Sequence, residues 1–266
     1  MTPAELAALF AAAMPEEHLT PDELAHLCFG TGDEIIGDER GAAALQVHDT
    51  DHGRVAWLTA LAVDPAEQHR GRGRELVSAA GERARERGAA RLELASAIPR
   101  YLWPGVDLAN TRAGMLVEAC GFRPGLLGIN MAIPTGFRCA PPDGVVVERE
   151  TGAEARRFAT AAFPHWVPEL DRAVSLGTAF AARDRTGATI GFGCHSVNRA
   201  GWIGPMATDP DRARGGVGSA VLAAVCADLE HRGRAEGEIS WVSNLRFYGK
   251  CGARVSRVFL GGSLAV

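Results

Sequence analysis

Two short turns in the chain carry the residue types that bind phosphate. Arg70-Gly71-Arg72-Gly73-Arg74 follows the apolar run 58–63 and an Asp-Pro step. Arg214-Gly215-Gly216-Val217-Gly218-Ser219 follows the run 203–208 and a second Asp-Pro. Each turn opens a segment of helical period. A helix N-terminus presents unpaired N–H groups and a partial positive charge, and glycines let an anion reach those groups without a Cβ in the way. Arg70 and Arg74, or Arg214 and Ser219, add charge or hydroxyl contacts. A Walker-type loop is excluded, because it needs Gly-Lys-Ser/Thr and neither turn holds a lysine. A dinucleotide fingerprint fits poorly, because the third glycine is missing from Gly71-Arg72-Gly73-Arg74-Glu75-Leu76 and from its counterpart. A cradle for the pyrophosphate of coenzyme A is the third reading.

The two turns belong to a repeat. Pro65 and Gly73 are 8 positions apart, as are Pro210 and Gly218, and Cys120-Gly121-Phe122-Arg123 is echoed by Cys251-Gly252-Ala253-Arg254. From Pro65 to Gly121 the first copy spans 56 positions, whereas from Pro210 to Gly252 the second spans 42. The extra residues fall around 97–110 (AIPRYLWPGVDLAN), and 134–144 (PTGFRCAPPDG) reads as a linker. Two related domains are therefore expected, 1–135 and 144–266, joined near residue 140.

The elements that must position the turns follow from periodicity. In the first copy strands are expected near 42–48, 55–63 and 91–95, with helices at 74–87 and 108–119. In the second, strands are expected at 145–150, 179–184, 189–197, 202–208 and 238–242, followed by a last strand pair reaching Val266. Its helices are expected at 153–163, within 165–176, at 217–229 and at 244–251. Val217, Val221, Val225 and Leu229 form the apolar stripe of one of these, with Ser219, Asp228 and Glu230 outside it. Each copy is thus a mixed α/β layer of sheet and helices.

Composition narrows the class. Of 266 residues, 47% are hydrophobic, and the formal charge of −4 offers no broad basic surface for nucleic acid or an anionic membrane. No apolar run approaches the roughly 18 residues of a membrane span, and the N-terminus lacks the positive flank of a secretory signal. A cytoplasmic protein is expected. Its single lysine, Lys250, and abundant Arg, Ala and Gly point to a GC-rich bacterial genome. Six cysteines without C-x-x-C spacing read as reduced, small hydrophobes, not as a metal site or disulfide framework.

The pattern V-x-P-x-x-Q/R-x-x-G-x-G/A, a helix, and a later Y-x-x-x-G-F resembles that of the GNAT superfamily of N-acetyltransferases. Val63, Pro65, Gln68, Gly71 and Gly73 match its first part. Pro210, Gly216 and Gly218 match it in the second copy, where Ala213 and Thr208 depart from it. The resemblance covers nearly the whole chain twice and implies two tandem GNAT folds, each a mixed, mostly antiparallel sheet flanked by helices.

It also implies acetyl-CoA as co-substrate, lying where two neighbouring strands splay. Backbone groups of Met206, Ala207 and Thr208, or of Leu61, Ala62 and Val63, would hold its pantetheine arm, with Gly215, Val217 and the other turn residues at the pyrophosphate. The acceptor would be a primary amine of a small molecule. The family's general acid, a tyrosine four residues before the glycine of G-F, maps to Tyr248 in the second copy and to Val117 in the first. A phenol can protonate a thiolate and valine cannot. The second copy is therefore expected to be catalytic and the first degenerate. No carboxylate lies at 202–206, and His195 is the candidate base. Phe163-Pro164-His165-Trp166 begins a segment that often lines the acceptor pocket. The competing reading is a non-catalytic acyl-CoA-binding or sensing protein, favoured by Val117 and Ala213.

Overall fold

The computed structural model describes residues 1–51, 53–95, 97–212 and 215–266. It divides into two compact units that are not consecutive halves of the chain. The first comprises Met1–Gly128 and Arg257–Val266, and the second Ile129–Ser256.

The first unit begins with α1 (Pro3–Ala13), a 3-10 turn (Pro15–Glu17) and α2 (Pro21–Cys28). Thr2 and Thr20 each build a capping box with a glutamate three residues on, and proline opens both helices, which fixes where they start. Strands β1 (Glu34–Asp38), β2 (Gly41–Thr50) and β3 (Gly53–Val63) form an antiparallel meander. Helix α3 (Arg72–Glu86) crosses over to β4 (Arg91–Leu94), which pairs parallel to β3. The two-residue β5 (Val106–Asp107), helix α4 (Thr111–Ala119) and the start of β6 (Arg123–Pro134) follow. Leu76, Val77, Ala80 and Ala84 of α3 pack on Ala43, Leu45, Ala56, Leu58, Leu92 and Leu94. Gln46, on the opposite face of β2, donates to the Leu27 carbonyl of α2 at 2.6 Å. The sheet therefore carries α3 on one face and the N-terminal helices on the other.

The second unit repeats this plan with β7 (Val146–Arg149), α5 (Glu154–Ala162), α6 (Val167–Ser175), β8 (Ala179–Arg183), β9 (Thr189–His195), β10 (Trp202–Thr208), α7 (Val217–His231), β11 (Glu236–Ile239) and α8 (Leu245–Lys250). Its strand order is β6-β11-β10-β9-β8-β7, with β10 and β11 parallel and the other neighbours antiparallel. The apolar stripe Val217, Val221, Val225 and Leu229 is fully inside. Phe163 stacks on Trp166, and both, with Phe158, are half-buried against the cluster around Phe192 on the α5–α6 side of the sheet.

The structure replaces the expected last strand pair with one long strand, β12 (Arg254–Ala265). Its residues from Arg257 onward belong to the first unit, where Ser263, Leu264 and Ala265 pair with Glu93, Leu92 and Arg91. A strand shared between two units has no signature in local periodicity. The expected strand at 238–242 instead ends at Ile239, because Trp241 adopts a left-handed backbone (φ 50°). The 97–110 insertion is anchored by Arg100, whose guanidinium grips the buried Asp33 carboxylate at 2.6 and 2.9 Å. It buries Tyr101 and Trp103.

Phe259 on β12 is completely buried in the first unit. Phe259→Ala should cost about 3–5 kcal/mol of stability by chemical denaturation, as a large buried ring lost to a cavity does. A loss under about 1 kcal/mol would show that this strand contributes little to the unit.

Candidate active site

Each turn sits at the C-terminal end of a parallel strand pair that parts. In the first unit β3 and β4 are paired as far as Leu58 and Leu94, and the Ala95 N–H donates to the Leu58 carbonyl at 2.9 Å. Beyond that point β3 runs on through residues 59–63 without β4, still paired with β2 on its other side. A bulge in its pairing with β2 falls at the parting, between the pairs Leu45–Leu58 and Ala44–Ala60, and leaves Thr59 extra. The Asp64 N–H bonds the Arg40 carbonyl. By the alternation of an antiparallel ladder, Ala62 then faces β2, while the N–H and C=O of Leu61 and Val63 face the gap.

Gly71, with φ at 91°, begins α3 without any side-chain cap. Only glycine adopts that backbone freely, and the uncapped start leaves the first amides of α3 unclaimed by the helix. Gln68 Nε2 donates to the Val63 carbonyl at 3.0 Å, and Arg112 donates to Gln68 Oε1 at 2.8 Å. Arg72 is tied to Asp38 at 2.9 Å.

A cavity of about 1140 Å³ runs along these groups. Leu61, Ala62, Val63, Gln68, Gly71, Gly73 and Arg74 line it, whereas Arg70 pairs with Glu67 at the surface and is not in its wall. The cavity continues to Ala13, Met14 and Glu17 of the N-terminal segment and to Trp103, Asp107 and Arg257. It therefore reaches both faces of the sheet through the gap between β3 and β4. Sequence reasoning missed Thr59, Glu17, Arg112 and Arg257 here, whereas Trp103 and Asp107 lie in the insertion that the repeat comparison singled out. Val117 also lines the cavity, buried, in the position the resemblance gives to the acid.

The second unit reproduces the parting. β10 and β11 pair at Trp202–Glu238 and Ile203–Ile239, and β10 then continues to Thr208. The Asp209 N–H bonds the Ile190 carbonyl, which turns Met206 and Thr208 toward the gap and Ala207 toward β9. Gly216 (φ 86°) begins α7 without a side-chain cap. Gly218 stands close to both Thr208 and Phe247: a Cβ there would lie 3.3 Å from each. The Ser219 hydroxyl lies 3.8 Å from the Cys251 sulfur. Arg214, with Ala213, falls outside the described residues. A cavity of about 430 Å³ in this unit lies away from the turn, between residues 138–141 and Ala220, Ala223 and Ala224 of α7.

Tyr248 stands on α8, which Asn244 caps. Its ring meets Phe247 edge-on at 4.8 Å and packs on the cluster containing Met131, Ile203 and Cys251. Burial, with the nearby Cys251, pushes the phenol up to about 12.

His195 has a structural place. It is fully buried, its Nε2 lies 2.8 Å from Asp228 Oδ2, its Nδ1 lies 3.0 Å from the Ser196 hydroxyl, and Phe180 stacks on the ring. With both nitrogens engaged and no exposed edge, it is not positioned as a base for a bound amine. Burial lowers its pKa, partly offset by Asp228. Asp228, expected on the polar side of α7, is buried instead. Burial would raise its carboxyl, but hydrogen bonds from Arg149, Arg232 and His195 outweigh that and hold it at about 2. On α6, the buried Glu169 carboxyl accepts from Asn198 Nδ2 at a long 3.5 Å, and burial raises it to about 7. All six cysteines are free thiols.

Two stability predictions follow from these groups. Asp228→Asn should destabilise the protein by about 1–3 kcal/mol, because the histidine and two half-exposed arginines lose their common partner. A melting temperature within one degree of wild type would contradict that. Glu169 has a raised carboxyl, so its contribution is full below its unfolded pKa of about 4.5 and is lost as pH rises toward 7. Glu169→Gln should therefore gain stability on wild type between pH 4 and pH 8, by up to about 3 kcal/mol. A pH-independent difference would remove Glu169 from the balance.

Known proteins place this geometry. The model of the acetyltransferase (GNAT) family matches residues 5–122 and again 148–253. No curated protein matches the chain. Among solved structures, the glucosamine N-acetyltransferase region of a fungal multi-domain beta-N-acetylglucosaminidase is similar over 98% of this chain and 37% of its own, at 22% identity and TM-score 0.77. A tandem GNAT protein from the clavulanic acid biosynthesis pathway is similar over 100% and 97% of the two chains, at 14% identity and TM-score 0.72. An N-acetyltransferase from Sphaerobacter thermophilus aligns over 99% and 92%, at 18% identity and TM-score 0.66. No helix among the described residues is long and apolar enough to cross a membrane.

Proposed function

Because the chain belongs to the acetyltransferase (GNAT) family, whose members carry out acyl-CoA-dependent N-acetyl transfer, we propose that it acetylates a primary amine of a small molecule with acetyl-CoA seated in the cleft of the first unit. The observation that carries this reading is the cavity of about 1140 Å³ running from the uncapped start of α3 through the gap between β3 and β4 to the N-terminal helices. Its size suits a ligand as long as acetyl-CoA together with a small acceptor.

The residues present fit that group. The amides at the start of α3, with Arg74 and Arg112 in the wall, suit the phosphates. The backbone of Leu61 and Val63 suits the amides of the pantetheine arm, which need partners of both kinds. Acetyl-CoA supplies an activated acyl group. The chain supplies orientation and a desolvated gap in which the thioester carbonyl can meet backbone donors. Val117 means that this unit has no phenol at the position the resemblance gives to the acid. With a thiol pKa near 8.5, the departing thiolate can take its proton from water. Localisation in the cytoplasm and a bacterial source are part of the same reading.

A second reading places the chemistry in the second unit, with Met206, Thr208 and the Gly215–Ser219 turn residues holding acetyl-CoA and Tyr248 as the acid. It rests on the phenol itself, which a pKa of about 12 keeps protonated at neutral pH. Two substitutions separate the readings. Gly73→Val drives a side chain toward Leu116, 3.1 Å from its Cβ, at the mouth of the first cleft. It should weaken acetyl-CoA binding at least about tenfold by calorimetry and lower turnover in step, while Tyr248→Phe leaves thiol release near wild type. Loss of turnover in Tyr248→Phe with unchanged binding in Gly73→Val would move the reaction to the second unit.

A further inference from the structure

The wall of the first cavity holds an ionic group that neither the turn nor β3 explains. Glu17 of the 3-10 turn, Asp107 of β5 and Arg257 of β12 all line the cavity. The Arg257 guanidinium donates through Nε to Asp107 Oδ2 at 2.6 Å, and through Nη2 and Nη1 to the two Glu17 oxygens at 2.5 and 3.3 Å. It also lies 4.9 Å from the Phe259 ring centroid. Glu17 is 8% exposed, Asp107 16% and Arg257 23%. Desolvating three charges is costly, and one carboxylate would suffice to neutralise one guanidinium. Asp107 Oδ1 also accepts the Ala109 N–H at 2.9 Å, and the three side chains together place a formal charge of −1 in the cavity wall. That charge lies on the N-terminal-helix side of the sheet, while Arg74 and Arg112 stand by the turn.

Resting on the reading that acetyl transfer occurs in this cleft, we propose that the Glu17–Arg257–Asp107 trio recognises the acceptor's ammonium group. The acceptor is then a monocationic amine without a carboxylate or phosphate beside the nitrogen. Arg257 is a positioning residue that holds both carboxylates against the cavity, and it comes from the last strand of the chain, 240 positions after Glu17. The reaction balances with one proton released. The ammonium loses a proton to solvent, the amine nitrogen bonds to the acetyl carbon as the carbon–sulfur bond breaks, and the second nitrogen proton ends on the thiol. The product is a neutral amide that no longer complements the net charge of the trio, which favours its departure.

The test uses the full chain with acetyl-CoA, following thiol release with tyramine and D-glucosamine as monocations and with glycine and glutamate as carboxylate-bearing amines. Monocations should show kcat/KM at least about tenfold higher. Glu17→Gln and Asp107→Asn should raise the acceptor KM by about tenfold or more with acetyl-CoA affinity unchanged, and Arg257→Lys should keep more activity than Arg257→Met. Thermal melting identifies any variant that fails to fold, and the two carboxylate variants keep the test open if Arg257→Met does. Equal or better turnover of the carboxylate-bearing amines overturns the proposal. So does an unchanged acceptor KM in folded Glu17→Gln, or a chain that binds acetyl-CoA in this cleft and acetylates neither monocation. Absence of acetyl-CoA binding in the first unit is a different result, and it removes the reading on which the proposal rests.

Discussion

The parting of β3 from β4 is the constraint on which the rest depends. A parallel pair must be joined by a crossover, and here the crossover is α3, so the start of that helix is delivered to the end where β3 finishes. Because β4 leaves after Leu94 while β3 continues to Val63, backbone groups that a full sheet would consume face a gap instead. Buried polar backbone without partners is costly, and the arrangement is stable because the gap opens into a cavity that solvent or a ligand can fill. The same strand–helix–strand module is present in the second unit, with β10, α7 and β11 in the same roles.

Around that gap the first unit is assembled from distant parts of the sequence. The N-terminal helices cover one face and α3 the other, the insertion closes a side with Trp103, and the last strand of the chain pairs with β4. This unit is therefore complete only with residues 257–266, whereas its turn and helix are local. That division separates the two kinds of chemistry the cavity offers: backbone donors and arginines set by local sequence, and an ionic trio that only the tertiary fold brings together.

The local part was readable in advance. The register Pro65–Gly73 against Pro210–Gly218 marks both helix starts, and the pairs Trp57–Glu93 and Trp202–Glu238 occupy equivalent places in the two parallel pairs. The stripe of α7 was equally plain. What periodicity could not disclose were features decided by neighbours remote in sequence. Asp228 looks solvent-facing on a helical wheel but is drawn inside by Arg149, Arg232 and His195. His195 is on a strand near the gap, yet its ring turns to α7. Arg257 reads as one more surface arginine until the exchange of its strand into the first unit is seen. Tyr248 is legible in sequence through its spacing to Gly252, whereas a cavity lined by distant segments has no signature there.

Amide hydrogen exchange with and without acetyl-CoA tests the central claim most directly, since it reads the gap-facing backbone itself. Binding is expected to slow exchange at Leu61 and Val63 and at Arg72, Gly73 and Arg74, the groups that face the gap and begin α3. Protection confined to Met206, Thr208 and the start of α7, with residues 61–74 unchanged, would contradict the account.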